Sequence, residues 1–292
     1  MKTILLTGAS SGLGRALSQA LIKKNSYRLI LTARSESIYR FKDKGIYESE
    51  NIHIRPLDVS NDDQRRAIIF EAEDKWDGID ILINNAGIAY RSVVEHVIEK
   101  ERLMQMQVNF RSPMELARLC LPKMRAKRWG RIINISSVGG MMAMPTMSVY
   151  SASKWALEGA SEALYYEVKP WNIKVTLIEP GFINSAGFTK VIYTELSEMS
   201  KKNLNDPYYP HYTYMTPFIE KMMRLSPSTP ESVAKKVVKI IEQKNPPLRT
   251  PATLDAAFFY YLRRLLPGKF YHWVLYKNLP RISEWGKNKT SN

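Results

Sequence analysis

A doubly wound α/β fold, a parallel sheet with helices on both faces, is the class this sequence predicts. Three observations predict it: short β-branched or Leu/Ile-rich runs alternate with helical patterns, a glycine-rich turn follows the first such run, and 292 residues suffice for one large core. The strand readings are Lys2 to Thr7, Arg28 to Ala33, Asn51 to Pro56, Ile79 to Ile83, Arg131 to Ser136 and Ile173 to Ile178. Between them, Leu13 to Lys24, Asp62 to Trp76, Glu99 to Lys127 and Val149 to Lys169 carry apolar residues at three- and four-residue spacing, the stripe of a half-buried helix. Repeated βα alternation makes the sheet mostly parallel, and such sheets bind ligands beyond the carboxyl ends of their strands.

After Pro180 the pattern changes. Tyr193, Tyr208, Tyr209, Tyr212, Tyr214 and Phe218 stand among Pro207, Pro210 and Pro217, and residues 184–228 are expected to form a substrate-side lid. Thr229-Pro230 starts a helix over Glu231 to Gln243, Asn245-Pro246-Pro247 stops it, and Leu248 to Thr250 suits a short last strand. The expected organisation is a single domain over 1–292 with a C-terminal extension over 252–292.

Composition narrows the function classes. Hydrophobic residues at 45% and charged residues at 24% are ordinary globular usage, and neither a leader peptide nor a spanning helix is read. The lone Cys120 falls in a helical pattern and is expected to fill core space in a reducing, cytoplasmic setting. His53, His96, His211 and His272 lie far apart without ligand spacing, so no metal is expected. The net charge is +15, and residues 201–292 hold 16 Lys/Arg against 6 Asp/Glu. That excess suits a solvated basic face, an anionic lipid, an acidic carrier or a phosphorylated ligand; no nucleic-acid module accompanies it.

The first motif is Thr7-Gly8-Ala9-Ser10-Ser11-Gly12-Leu13-Gly14, set between a strand and a helix. Glycines there let the backbone turn sharply and bring N–H groups up to a pyrophosphate, whose charge a helix N-terminus favours. The position 20 residues beyond Gly14, where an acid would bind the ribose hydroxyls of NAD, holds Arg34. A guanidinium suits a 2′-phosphate, and Arg15 adds a second cation, so NADP(H) is expected in preference to NAD(H), with Glu36 nearby as the opposing sign.

The second motif is Tyr150-Ser151-Ala152-Ser153-Lys154 at the start of a helix. Spacing of four puts both side chains on one face, where an ammonium favours the phenolate and makes tyrosine a usable acid or base. Tyr165 and Lys169 repeat the spacing at the far end of the same helix. Context separates them, because Ser136-Ser137 ends the strand before Tyr150.

With these motifs on view the chain resembles the short-chain dehydrogenase/reductase family of Rossmann-fold enzymes. The signatures are the glycine turn, Asp58-Val59, Asn84-Asn85-Ala86-Gly87, Ser137 followed 13 residues later by Tyr150 and then Lys154, and Pro180-Gly181, over about residues 1–190. The resemblance implies that Gly8, Ser10, Ser11, Gly12, Leu13 and Gly14 hold the pyrophosphate and that Asp58 and Val59 meet the adenine. It also implies that Asn85, Ala86 and Gly87 line the adenosine side, and that Pro180, Gly181, Ile183 and Ser185 face the nicotinamide. Ser185 stands where the family often has threonine. By the same resemblance Ser137 binds the substrate oxygen, Tyr150 exchanges its proton, Lys154 holds the nicotinamide ribose and lowers the tyrosine pKa, and Asn109 holds a helix kink and a relay water.

Residues Ser137 to Met142, Tyr150 to Gly159, Asn245 to Arg249 and Arg263 to Pro267 resemble the hydroxysteroid and retinol dehydrogenase branch. Met141, Met142, Met144 and Met147 suit an apolar pocket or ordinary packing, and a lipophilic alcohol, aldehyde or ketone is the expected substrate. An acyl-carrier-protein ketoreductase is the alternative, and a non-catalytic NADP-sensing scaffold, which would have lost part of the dyad, is a further one. The helices from Glu99 and Val149 correspond to the family's pairing surfaces, so a homodimer or homotetramer is expected. The aromatic, basic stretch 255–279 is expected either to pack over the core or pocket or to touch a membrane peripherally.

Overall fold

The computed structural model describes residues 1–185 and 192–287. Seven parallel strands form one sheet: β1 (Lys2–Leu6), β2 (Tyr27–Ala33), β3 (Ile52–Pro56), β4 (Ile81–Asn84), β5 (Gly130–Ile135), β6 (Ile173–Glu179) and β7 (Arg249–Pro251). Their order is β3-β2-β1-β4-β5-β6-β7, so the winding reverses between β1 and β4.

The eleven helices among the described residues are α1 (Gly12–Lys24), α2 (Tyr39–Lys42), α3 (Asp62–Trp76), α4 (Glu99–Met106), α5 (Ser112–Ala126), α6 (Ser148–Val168), α7 (Glu195–Lys202), α8 (Tyr209–Leu225), α9 (Pro230–Glu242), α10 (Leu254–Leu265) and α11 (Gly268–Lys277).

Strand alternation builds the two cores. Ile4 and Leu6 of β1 face α1 and α9, where Leu17, Leu21, Val233 and Val237 meet them, while Leu5 faces the layer of Ile68, Leu116, Cys120 and Leu164 from α3, α5 and α6. Cys120 is thus core, as its helical setting predicts.

The expected single helix from Glu99 to Lys127 is in fact three pieces. A π-turn at Gln107–Arg111 separates α4 from α5, because Ser112 Oγ donates to the Gln107 carbonyl (2.7 Å) and Pro113 lacks an N–H to continue the ladder. The fourth strand starts at Ile81 rather than Ile79, since Asp80 is drawn to Thr3, whose N–H donates to its carboxylate at 2.8 Å. The described part of the lid expected over 184–228 contains the helices α7 and α8; residues 186–191 of that expectation lie outside the described residues. Its anchor is a buried hydroxyl cluster in which Ser197 bonds Ser92 (2.6 Å) and Tyr212 (3.0 Å).

Arg249 of β7 pairs with Glu158 of α6 and lies 3.2 Å from Glu179 of β6, tying α6 to the sheet edge. Among the described residues no helix is long and apolar enough to cross a membrane.

Candidate active site

The reversal between β1 and β4 brings two turns together, and their contacts explain the glycine pattern. Asn85, just past β4, donates from its side-chain amide to the carbonyls of Thr7 and Gly8, each at 3.0 Å. Thr7 Oγ1 accepts from the backbone N–H groups of Asn85 and Ala86, also at 3.0 Å. Gly8 has φ +62°, and a Cβ there would stand 2.9 Å from Ala86 Cα; one on Gly14 would stand 2.1 Å from the Gly8 carbonyl oxygen. Only glycine lets these backbones approach. At the opening of α1 the Ser11 side chain makes no cap bond, which leaves first-turn N–H groups for an anion. The geometry of this cradle suits a dinucleotide pyrophosphate, and Gly8, Ser10, Ser11, Gly12, Leu13 and Gly14 lie along it.

Further along the same edge, Asp58 Oδ1 accepts from the N–H (2.8 Å) and hydroxyl (2.7 Å) of Ser60, which orients its carboxylate, and Val59 packs into the second core. Arg34 caps the turn after β2 and pairs with Glu36 at 3.0 Å. Both side chains are about two-thirds exposed, at 63% and 64%, so this pair holds Arg34 weakly and leaves it able to swing to a phosphate.

The catalytic candidates come from three elements. Ser137, past β5, caps the turn at Val138–Gly140 and accepts from the Gly139 N–H at 3.0 Å. Because that bond uses a lone pair, its own hydrogen can be donated to the Tyr150 oxygen or to a substrate oxygen. Tyr150 stands beside Ser137 across Gly139, where a Cβ would be 2.9 Å from Tyr150 Cε1 and 3.5 Å from Ser137 Oγ. Lys154, one turn on, is 6% exposed, and its ammonium donates to the Ile135 carbonyl at 2.8 Å.

Asn109 in the π-turn is fully buried. Its amide donates to the Ile88 carbonyl (2.8 Å) and Ser153 Oγ (3.0 Å), and its Oδ1 accepts from the Ile88 N–H (2.9 Å). Ser153 in turn donates to the Tyr150 carbonyl at 2.7 Å. Asn109 therefore reaches the first turn of α6 through Ser153.

The electrostatics depart from expectation. Burial pushes the Tyr150 hydroxyl above its ordinary value, and the Ser137 hydrogen bond pulls it back only in part. Burial also brings Lys154 down to about 8. The lowering of Tyr150 by Lys154 is not the dominant effect in the chain alone, because the ammonium is directed to the Ile135 carbonyl.

The second copy of the spacing is different. Lys169 lies over the Tyr165 ring at 5.8 Å, a cation-π contact against core packing rather than a hydroxyl facing a partner.

Pro180 and Gly181 follow β6. The Pro180 carbonyl accepts from the Val138 N–H (2.7 Å), linking this turn to the Ser137 turn. Gly181 N–H donates to Thr253 Oγ1 (2.9 Å) and Phe182 N–H to Asp255 (2.8 Å), both from the start of α10. Ile183 is buried in the first core, so its side chain packs inward, and Ser185 lies two residues further along the chain.

Several supports of the site are not legible from local pattern: Ser153, between Tyr150 and Lys154, and Thr7, at the start of the glycine turn, act through partners distant in sequence. Asp255 and Thr253 carried no local signal, since their partners lie more than 70 residues away. Met141 and Met142 are buried with Val138, Ala256 and Tyr271, so they are packing rather than an adaptable wall; Met144 is only partly buried. The stretch 255–279 packs on this cluster through one face of each helix.

A serine and a tyrosine side by side next to a buried lysine, close to a glycine-built cradle, are the site of a nicotinamide-dependent oxidoreductase. Residues 2–195 match the family model described as short chain dehydrogenase. The chain is 36% identical over 247 residues to a 3-ketodihydrosphingosine reductase of Bacteroides thetaiotaomicron, covering 85% of this chain and 86% of the relative. It is 33% identical over 211 residues to a 3-oxoacyl-acyl-carrier-protein reductase of Vibrio cholerae, covering 70% and 85%. A short-chain dehydrogenase structure from Streptomyces avermitilis superposes with a TM-score of 0.78 at 28% identity, over 95% of this chain and 97% of that one. The chain belongs to the short-chain dehydrogenase family. Its relatives include 3-ketodihydrosphingosine and 3-oxoacyl reductases, so the match establishes the family and not the hydroxysteroid and retinol dehydrogenase branch that the segments Ser137 to Met142 and Tyr150 to Gly159 resemble.

Proposed function

We propose that this oxidoreductase interconverts a lipophilic ketone or aldehyde and its alcohol with NADP(H), using Ser137, Tyr150, Lys154 and Asn109. The observation that carries the reading is the Ser137–Tyr150 hydroxyl pair backed by buried Lys154. Bound in the cradle, the cofactor supplies or accepts hydride at the nicotinamide C4. Ser137 turns its hydrogen from Tyr150 to the substrate oxygen, fixing the carbonyl beside Tyr150. Tyr150, held protonated at neutral pH by burial, gives its proton to the oxygen as the carbonyl carbon is reduced. The tyrosinate left behind is countered by Lys154, while Asn109 and Ser153 keep that turn of α6 in place. Oxidation runs the same proton in reverse.

The remaining assignments are Arg34 on a 2′-phosphate, Asp58 and Val59 at the adenine, Asn85, Ala86 and Gly87 along the adenosine side, and Pro180, Gly181, Ile183 and Ser185 at the nicotinamide. Two solved relatives share the fold at 22% and 21% identity, one holding NADP and the other NAD, and the weakly held Arg34 favours the former here. A lipophilic substrate is supported by the 3-ketodihydrosphingosine reductase among the relatives. Homodimer or homotetramer assembly is supported by exposed Leu103 and Met104 on α4 and Tyr166 on α6. A cytoplasmic setting, with peripheral membrane contact through 255–279, completes the proposal.

The test is cofactor consumption with NADPH and NADH across steroid, retinoid, long-chain 3-keto and small polar carbonyls. NADPH turnover whose kcat/KM rises with apolar chain length is expected. Turnover confined to small polar ketones contradicts the substrate class, and a clear NADH preference contradicts the role of Arg34.

A further inference from the structure

The helices α10 and α11 have two apolar faces where a surface helix needs one. On α10 the buried face is Ala256 with the partly buried Phe259 and Tyr260. Half a turn around the axis, Leu254, Phe258, Tyr261 and Leu265 follow one another at spacings of four, three and four, and each is at least 59% exposed. On α11 Tyr271 is buried, while Phe270 and Trp273, stacked at 5.7 Å, stand exposed on the opposite side. Exposed aromatic faces on two consecutive helices mark an interaction site.

Its charges say which partner fits. Between residues 254 and 279 the cations are Arg263, Arg264, Lys269 and Lys277, and the single acid is Asp255. Asp255 is turned inward, accepting from the Phe182 N–H at 2.8 Å. Arg263 lies over the Trp155 and Tyr271 rings and Arg264 over Tyr260, so the outward cations are Lys269 and Lys277, and the face offers aromatic rings and aliphatic side chains edged by these two lysines, with the one carboxylate of the stretch turned inward. A second copy docked face to face would oppose these cations to one another, whereas lipid acyl chains beneath anionic headgroups satisfy both features.

We infer that the outer faces of α10 and α11 form a docking surface for an anionic bilayer. This deepens the membrane contact proposed above by naming its residues and lipid charge, and it rests on the lipophilic-substrate reading only for its purpose. Helix α10 seated in this way also holds, through Thr253 and Asp255, the turn at Gly181 and Phe182 beside the candidate site.

Flotation of the full chain with phosphatidylcholine vesicles, with and without phosphatidylglycerol, tests the surface without substrate or cofactor. The protein is expected to float with the anionic vesicles, to be released by salt, and to stay below with phosphatidylcholine alone. The variant F258S/Y261S/F270S/W273S changes exposed positions only and is expected to lose about tenfold of the vesicle-bound fraction while keeping its circular dichroism. K269E/K277E is expected to lose binding in part. Absence of flotation with anionic vesicles at low ionic strength overturns the inference, as does equal flotation by the serine variant. A serine variant that changes sedimentation from oligomer to monomer, when neither protein binds vesicles, assigns the face to a second copy instead. A protein that floats yet reduces only small polar ketones upholds the docking surface and refutes the lipophilic substrate.

Discussion

The two ends of α6 carry the same four-residue spacing of tyrosine and lysine in opposite surroundings. At its start, Tyr150 meets Ser137 from β5, and Lys154 is buried against the Ile135 carbonyl with only its charge to lose. At its end, Tyr165 packs on the second core with Lys169 lying over its ring. One helix thus shows that the motif is cheap and that chemistry comes from what the neighbouring strand ends bring to it.

Predictions that break or sharpen this contrast run from large to small. Y150F removes the proton donor and is expected to lower kcat by about 10³-fold with cofactor binding retained, whereas Y165F stays within about twofold. Steady-state rates and cofactor titration on the two variants check this.

K154M is expected to cost about 10²-fold in kcat and yet not to lower Tm. The sign follows from linkage. A lysine whose native pKa is depressed from 10.5 to about 8 binds its proton less readily when folded, so stability rises with pH across that window and is reduced below it. Removing the buried charge relieves on the order of 3 kcal/mol at neutral pH, apart from the lost hydrogen bond to Ile135. Thermal melts at pH 7 and pH 9.5 measure it, with the gain over wild type expected to shrink at the higher pH. In the wild type, the rate of carbonyl reduction should fall as pH rises through about 8, where Lys154 loses the charge that counters the tyrosinate.

G139A is the mildest, because a Cβ 2.9 Å from Tyr150 Cε1 must displace the ring by a few tenths of an ångström. About a tenfold loss in kcat is expected, with unchanged cofactor affinity.

The same contrast explains what the sequence made legible. The fold class and six of the seven strands followed from alternation and the glycine turn, with the seventh, Arg249–Pro251, only suggested by the stretch after Pro246-Pro247. Local signals worked where the determinant was local: Gly8 and Gly14 are glycine because adjoining backbone fills the space of a side chain. They failed where the determinant was a distant partner. The π-turn that interrupts the expected helix depends on Ser112 returning to the Gln107 carbonyl, and Asp255 holds the Phe182 N–H across 73 residues of chain. For the methionines the sequence left a pocket wall and ordinary packing open, and Met141 and Met142 are packing because α10 and α11 cover them. The raised Tyr150 pKa was also illegible, because it reflects burial and not the lysine four residues on.

The most direct test of the central claim follows deuterium from the C4 position of labelled NADPH into a long-chain ketone. Wild type and Y165F are predicted to place the label on the product carbinol carbon at comparable rates, while Y150F binds the cofactor and forms almost no labelled alcohol. Labelled alcohol from Y150F at close to the wild-type rate, or its loss in Y165F, would contradict the assignment of proton transfer to Tyr150.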